Sequence, residues 1–249
     1  HLLCFIALCL FFTPGKAQQL SVMTLRNGAT VYIWEDKSKP DVFGMIAFKV
    51  GSVDDPEQYT GLAHYLEHVM FKGTQTIDAL DWEKEKPIYE KIIAKYDERA
   101  ALSDPAAREA VDKEINDLTR EAAQYAAGNE FSLLVDHMGG QGLNASTGYD
   151  QTEYHNSFPP SQLEKWLEIY SERLIDPVFR GFQTELEAVY EEYNMYNDDR
   201  GSRMREFIYE QAFGDHPYAR PIIGLPEHLK NPQLSKLIDF YNTWYGPQN

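Results

Sequence analysis

Near its N-terminal end the chain has the alternating apolar and polar pattern of β-strands. Residues 20–25, 30–34 and 42–50 are rich in β-branched and aromatic side chains, which suit a pleated surface. The Asn27-Gly28 pair between the first two runs is typical of a tight hairpin turn. Three strands are therefore predicted, and the first two are joined as a hairpin.

Beyond residue 60 the apolar residues recur every three or four positions, which is the spacing of one helix face. A helix is predicted from about Gly61 to Lys72, and Gly73 ends it. Residues 77–128 are charged and alanine-rich and predict an inserted hairpin of two helices. Because this insertion carries none of the candidate catalytic residues described below, we interpret it as a peripheral, solvated addition.

The rest of the chain predicts one more extended segment, residues 142–158, followed by further helices. Ser161 and Thr184 each precede a Glu by three positions, a capping box that predicts helices to about Leu174 and Asn197. Two shorter helices are predicted after residue 200. Together these elements predict an α+β fold, in which a mixed, largely antiparallel sheet is covered by helices on one face.

The first residues have the features of a secretory signal peptide rather than of a folded element. Residues 2–12 are almost entirely apolar, and the small residues Gly15 and Ala17 precede the polar Gln18. Residues 1–17 are therefore predicted to be removed, and no stable membrane span is expected afterwards because the run is too short. Both cysteines lie within this leader, so the predicted mature chain depends on its core and not on disulfides.

The charge balance excludes one large class of partners. The chain has 39 acidic and 23 basic residues and a net charge of −16. A protein that binds the phosphate backbone needs clustered Lys and Arg, so no nucleic-acid partner is expected. We interpret the acidic residues mainly as a solvated surface.

The segment His64-Tyr65-Leu66-Glu67-His68 carries the strongest chemical signal. On a helix, His64 and His68 lie about 40° apart on one face, so both imidazoles can reach one ion. Glu67 lies beside them as a candidate general base. The opposite side of the helix is apolar and is formed by Leu62, Leu66 and Val69. Solvated surface histidines share this spacing, so a third ligand is needed to identify a metal site.

The helix predicted to start near Thr184 offers four carboxylates as the third ligand. They are Glu185, Glu187, Glu191 and Glu192. Its apolar stripe is formed by Phe182, Leu186, Val189, Tyr193 and Tyr196. At about 100° per residue, Glu185 and Glu192 flank this stripe, whereas Glu187 and Glu191 point away from it. Glu185 and Glu192 are two turns apart, so only one of them is expected to touch the metal.

Further motifs extend these signals into a family resemblance. Beyond the histidine pair, the residues that carry it are Val69 to Thr74, Gly140, Asn144, Ala145, Thr147, Tyr154, His216 to Tyr218, Ile223 and Gly224. The sequence resembles the pitrilysin and insulinase family of zinc metallopeptidases over nearly all of its predicted mature part, residues 18–249. The resemblance identifies this part as an N-terminal metallopeptidase domain, truncated before a final core strand and a homologous second half.

The resemblance also implies roles for individual residues. It makes His64, His68 and Glu192 the ligands of one Zn²⁺ per chain, Glu67 the general base and Glu185 a residue that orients a ligand histidine. It makes Asn144, Ala145 and Tyr154 substrate-binding residues on an edge strand. Two departures stand out: the interval from His68 to Glu192 is longer than usual, which the insertion explains, and Leu186 stands where the family often has Arg.

The function implied by the resemblance is zinc-dependent endopeptidase activity on extended peptides or small unfolded proteins of the cell envelope. With the signal peptide, this predicts a location in the bacterial periplasm. The expected partners are a peptide substrate and the homologous C-terminal half, which is either in the same polypeptide or in a partner subunit. The alternative is a non-catalytic, substrate-binding subunit of a two-chain peptidase. Such subunits typically lose the zinc motif, which this chain retains, so the enzyme is the favoured interpretation.

Overall fold

The computed structural model describes residues 20–249, so the predicted signal peptide over 1–17 lies outside the described residues. The chain divides into two compact units, with the boundary between Pro40 and Asp41.

The unit that ends at Pro40 contains a β-hairpin. Strand β1 (Leu20–Thr24) pairs antiparallel with strand β2 (Thr30–Trp34). At the turn between them Gly28 has a φ of +94°, a left-handed conformation that glycine adopts without steric cost. The hairpin predicted from the Asn-Gly pair is confirmed.

The second unit contains a three-stranded sheet made of β3 (Val42–Phe48), β4 (Gln141–Thr147) and β5 (Thr152–Phe158). The strand order is β3-β5-β4, and both ladders are antiparallel. The predicted α+β class is confirmed. The sheet differs from the prediction of one mixed sheet, because among the described residues β1 and β2 pair only with each other and every ladder is antiparallel. Short turns join β1 to β2 and β4 to β5, and such turns can connect only antiparallel strands.

Helices cover one face of this sheet, as predicted, whereas Phe43 and Met45 of β3 are exposed on the other. They are α1 (Leu62–Val69), α2 (Trp82–Ala101), α3 (Pro105–Ala122), α4 (Glu130–His137), α5 (Leu163–Arg173), α6 (Phe182–Asp198), α7 (Arg200–Phe213), α8 (Pro226–Leu229) and α9 (Leu234–Trp244). The capping boxes predicted at Ser161 and Thr184 do not form: α5 follows a short 3-10 turn, and α6 already starts after Gly181, whose φ is +61°. Within residues 20–249, none of the helices combines the length and the apolar character that a bilayer crossing requires.

One part of the core lies where β5, the central strand, meets α5. Alternate residues of β5 are buried, which is the period of a strand with one face in the core. The ring of Trp166 stacks on Phe158 with centroids 5.2 Å apart. Asn156 Oδ1 accepts hydrogen bonds from Trp166 Nε1 at 2.8 Å and from the Tyr170 hydroxyl at 2.7 Å. These contacts fix α5 against the sheet.

Helices α2 and α3 form the hairpin predicted for residues 77–128. The Asp104 carboxylate caps α3 by accepting a hydrogen bond from Ala107 N at 2.9 Å, as the Asp-Pro pair predicts. The interpretation of the hairpin as a peripheral addition is wrong. Ile88, Ile92 and Tyr96 of α2 are buried in the common core. The Tyr96 ring lies edge-on against Phe182 at the start of α6, 4.8 Å between centroids.

Candidate metal centre and active site

The start of α1 is held by a carboxylate seven residues upstream of its first residue, Leu62. Asp55 is buried and accepts hydrogen bonds from Gly61 N at 2.7 Å and from Ala63 N at 2.8 Å. The first N–H groups of a helix have no partner within the helix, so Asp55 satisfies two of them and meets the positive end of the helix dipole. Burial nevertheless raises the pKa of Asp55 to about 7. Asp55 thereby stabilises the first turn of the helix that carries both histidines.

A second contact at the start of α1 is possible only between glycines. Gly61 and Gly224 have φ angles of +88° and +91°, and their backbones touch. A Cβ on Gly61 would lie 2.5 Å from Ile223 O, and a Cβ on Gly224 would lie 2.5 Å from Thr60 O. The Ile223-Gly224 motif of the sequence therefore supports the metal helix from a position more than 150 residues downstream.

The start of α6 is fixed against both α1 and α2. Arg180 forms a two-pronged ion pair with Glu85, Nε to Oε1 at 2.6 Å and Nη2 to Oε2 at 2.8 Å. Its Nη1 donates to Lys72 O, just beyond the end of α1, at 3.3 Å. The Tyr65 hydroxyl of α1 donates to Phe182 O of α6. Because these contacts set the position of α6 along α1, they decide which of its carboxylates faces the histidines.

The structure brings His64, His68 and Glu192 together. Glu192 Oε2 lies 3.6 Å from His64 Nε2 and 3.4 Å from His68 Nε2, and the three ligand atoms lie within 4.8 Å of one another. A tetrahedral zinc with bonds of about 2.0–2.2 Å holds its ligand atoms about 3.3 Å apart, so this cluster fits the ion with little movement. Glu191, the neighbouring candidate, is exposed. Two imidazoles and one carboxylate are the donor set of a catalytic rather than a structural zinc site.

The protonation of the three candidate ligands differs. Burial lowers the pKa of His64 to about 4, so its imidazole is neutral and ready to bind a metal. Burial also opposes protonation of His68, but hydrogen bonds to Glu185 and Glu192 outweigh it and raise the pKa of His68 to about 9. The hydrogen bond from His68 lowers the pKa of Glu192. In the zinc-free chain, His68 therefore holds a proton that a metal ion would displace.

Glu185 lies on the far side of His68 from Glu192. Its Oε2 is 3.6 Å from His68 Nδ1, and its Oε1 is 2.5 Å from Lys72 Nζ. Burial opposes ionisation of Glu185, but the hydrogen bonds from His68 and Lys72 outweigh it and lower its pKa. Lys72 thus places a positive charge beside Glu185. Lys72 follows His68 by four residues and lies just beyond the end of α1.

The Glu67 side chain reaches the end of β4. It is buried, and its Oε2 accepts a hydrogen bond from Thr147 Oγ1 at 2.6 Å. Burial raises the pKa of Glu67, and the Thr147 hydroxyl acts in the opposite direction. A carboxylate with a raised pKa is a better proton acceptor near neutral pH. The sequence signalled Thr147 only as part of a family motif and not as a contact of Glu67.

The three predicted substrate-binding residues do not share one strand. Asn144 and Ala145 belong to β4, which is an edge of the sheet among the described residues; Asn144 is exposed and Ala145 is buried. Tyr154 lies in the central strand, paired with β3 and β4 on its two sides, and its side chain is 1% exposed. The predicted single edge strand from Asn144 to Tyr154 is wrong because residues 148–151 turn the chain back on itself.

Two further residues lie near the site, and the sequence did not predict a role there for either of them. Tyr196, one turn beyond Glu192 on α6, hydrogen-bonds to that carboxylate. Arg173, at the end of α5, is buried; its Nε donates to Met70 O at 3.0 Å, and its guanidinium lies 4.3 Å from the centroid of the Phe71 ring. Arg173 thereby ties α5 to the residues that follow α1. An Arg in a helix that carries both polar and apolar residues is normally expected at the surface, so the sequence did not predict that Arg173 is buried.

Comparison with protein families identifies one match. The profile described as insulinase (peptidase family M16) matches residues 30–86 and 115–225, which together make up more than half of the chain. The unmatched residues between them run from the first half of α2 into the middle of α3. The profile therefore matches the start of α2 and the end of α3 but not the middle of the hairpin.

Individual relatives agree with the family match. The zinc protease PqqE of Helicobacter pylori is 25% identical over 231 residues, which cover 91% of this chain and 41% of that protein. Among solved structures, a protease from Helicobacter pylori has a TM-score of 0.69 at 22% identity and covers 93% of this chain and 45% of its own.

The first half of the periplasmic protease PqqL of Escherichia coli is also similar, with a TM-score of 0.67 at 22% identity, covering 93% of this chain and 42% of that one. This chain therefore spans less than half the length of these relatives.

Proposed function

The chain belongs to the insulinase family of peptidases, M16, and on that premise we propose that it is the zinc-binding half of an endopeptidase. The observation that carries the proposal is the convergence of four residues from two helices more than 100 residues apart in sequence. His64, His68 and Glu192 form a cluster of metal-ligand spacing, and Glu67 lies beside it. The proposed reaction is hydrolysis of peptide bonds in extended peptides or small unfolded proteins.

The chain's own residues supply most of the proposed chemistry. His64 Nε2, His68 Nε2 and Glu192 Oε2 would hold one zinc ion. Bound zinc would act as a Lewis acid and make water a nucleophile near neutral pH. Glu67 takes up the proton that this water loses and delivers it to the leaving amine, a role for which its raised pKa is suited. Glu185, held by Lys72, accepts a hydrogen bond from His68 Nδ1 and so keeps that ring oriented toward the ligand cluster.

The substrate is proposed to bind as an added strand on β4. The backbone of an edge strand offers unpaired N–H and C=O groups, and an extended peptide can pair with them without a strict sequence requirement. Asn144 is exposed on this strand, and Thr147 at its end touches Glu67. A peptide paired there would pass next to the general base.

The proposed setting is the periplasm, and the proposed partner is a homologous second half. The predicted signal peptide supports secretion, and the similar Escherichia coli protease is described as periplasmic. A second half is supported by the relatives, which are more than twice as long as the region that this chain matches. The alternative, a subunit that holds substrate without cutting it, is less well supported because such a subunit has no use for Glu67 beside an intact ligand set.

Metal analysis and peptide cleavage test the proposal together. The purified chain is expected to bind about one zinc, and Glu192→Gln is expected to weaken zinc binding whereas the matched change Glu191→Gln is not. Glu67→Gln should keep the metal and lower cleavage of an unstructured peptide about 10²- to 10⁴-fold, because an amide cannot accept the proton. Cleavage is measured with the chain alone and with the homologous half added. Unchanged zinc content in both His64→Ala and His68→Ala would refute the site.

A further inference from the structure

One hydrogen bond joins the proposed general base to the strand on which the substrate would lie. Thr147 is the last residue of β4, and its Oγ1 lies 2.6 Å from Glu67 Oε2. Hydrogen bonds from a hydroxyl to a carboxylate measure about 2.5–2.7 Å when they are charge-assisted, so this contact is of the strong kind. Glu67 is 9% exposed, so little water competes for the same oxygen.

The strand pattern explains why Thr147 makes this contact. Side chains alternate across a strand, so Thr147 shares one face with Ala145, whereas Asn144 and Ser146 lie on the other. Ala145 is buried, while Asn144 and Ser146 are exposed. The hydroxyl of Ser146 instead donates to Glu153 on the neighbouring strand at 3.0 Å. Two adjacent hydroxyl residues therefore have different partners, and only one of them touches the catalytic helix.

We propose that Thr147 is a positioning residue that fixes the carboxylate of Glu67 and couples it to the substrate strand. This inference rests on the proposed peptidase function. With Oε2 held by Thr147, the side chain of Glu67 is restrained and Oε1 is presented to the attacking water. A peptide that pairs with β4 orders the strand whose last residue holds the base, so substrate binding and alignment of the base become one event.

The size of the effect follows from how strongly proton transfer depends on geometry. Loss of the hydroxyl leaves a buried carboxylate oxygen without its partner and frees the side chain to rotate. A displacement of about 1 Å at a reacting group can cost on the order of 100-fold in rate. Thr147 makes no contact with the ligand cluster, so zinc affinity should be unaffected.

Three variants separate positioning from simple structural support. Thr147→Val has nearly the shape of threonine but no hydroxyl, Thr147→Ser restores the hydroxyl, and Ser146→Ala removes the neighbouring hydroxyl that faces Glu153. Thr147→Val is expected to lower kcat about 10- to 100-fold with KM and zinc content nearly unchanged. Thr147→Ser is expected to recover most of kcat, and Ser146→Ala to leave kcat within about twofold.

A second measurement does not require activity. In the zinc-free chain labelled with ¹³C at the glutamate carboxyl carbon, the Glu67 signal is the one that Glu67→Gln removes. Thr147→Val should shift that signal, while Thr147→Ser and Ser146→Ala should leave it in place. If the wild-type chain with its homologous half cleaves no peptide, the proposed function fails, and the carboxyl signal still decides whether Thr147 holds Glu67. A Thr147→Val chain with unchanged Glu67 signal, or with unchanged kcat, overturns the inference.

Discussion

Helices α1 and α2 are stabilised in opposite ways. Seven of the eight residues of α1 are buried, and its start is held by Asp55 and by the close approach of Gly61 to Gly224. Helix α2 has 20 residues, of which only four are buried. A helix as short as α1 is unstable alone, so its existence depends on tertiary contacts, whereas α2 is rich in good helix formers. The helix that carries His64 and His68 is therefore the one whose stability comes mainly from its surroundings.

The two helices nevertheless depend on each other through Arg180. Glu85 of α2 pairs with Arg180, and Arg180 also binds the carbonyl of Lys72, just beyond α1. The long helix thus anchors the segment that leads into the ligand helix α6. Four predictions test how far the site depends on contacts made by each helix.

The largest effect is expected from removal of the hairpin. Replacement of residues 77–128 by a Gly/Ser linker should abolish the fold and zinc binding, because α2 contributes buried Ile88, Ile92 and Tyr96. The point variant Glu85→Ala should destabilise the chain by about 3–5 kcal/mol, since it leaves Arg180 partly buried without its partner. Circular dichroism, denaturant unfolding and metal analysis measure these outcomes.

A control variant shortens only the tip of the hairpin. Replacing residues 100–106 with a short turn leaves the buried residues of α2 in place but removes the Asp104 cap, so the free energy of unfolding should fall by only about 1 kcal/mol and zinc content should be close to wild type. A folded, zinc-binding chain after complete removal of 77–128 would restore the interpretation of the hairpin as a peripheral addition.

The next effect concerns the partner of His68. Glu185→Gln should weaken zinc binding about 10- to 100-fold, the usual cost of losing a group that orients a metal-binding histidine. Lys72→Met should have a smaller effect in the same direction, because it removes only the charge that keeps Glu185 ionised. Competition with a chelator of known affinity measures both. Glu187→Gln on the same helix is the control, and equal losses in control and test variants would contradict the role of Glu185.

The pH dependence of zinc binding is expected to follow His68. Its pKa is raised from 6.5 to about 9 in the zinc-free fold. The ion pairs of protonated His68 therefore stabilise the zinc-free chain fully below pH 6.5, and this stabilisation is lost as the pH rises through about 9. Zinc requires the neutral ring, so zinc affinity should rise about tenfold per pH unit in this window.

Measurement of the zinc dissociation constant at several pH values between 6.5 and 9 checks the slope. Glu185→Gln should flatten it, because the variant loses one of the two hydrogen bonds that raise the pKa of His68. A pH-independent affinity in the wild-type chain would show that His68 is already neutral.

The smallest effect is expected at the start of α1. Asp55→Ala should reduce the free energy of unfolding by about 1–2 kcal/mol, the usual cost of losing a helix cap. The matched change Asp104→Ala at the start of α3 removes an exposed cap, and its cost should be at the low end of that range. Thermal unfolding compares the two. An Asp55→Ala chain no less stable than Asp104→Ala would show that α1 does not depend on its cap more than the hairpin does.

The sequence alone determined the features that lie within single elements. Helical periodicity placed His64 and His68 on one face, and it separated Glu185 and Glu192 from Glu187 and Glu191 on another helix. The Asn-Gly hairpin and the Asp-Pro helix start were likewise local. These predictions succeed because backbone geometry fixes which neighbouring residues share a face, whatever the rest of the chain does.

Only the tertiary structure decided what those faces meet. It brought Glu192 to the histidines, gave Thr147 to Glu67 and Lys72 to Glu185, and placed Tyr154 in the core. The packing of the hairpin against α6 likewise could not be predicted from the sequence, because an apolar stripe on a charged helix has the same spacing whether it is buried or solvated. Contacts between segments far apart in sequence depend on how whole elements pack, and periodicity within one element carries no information about its partner.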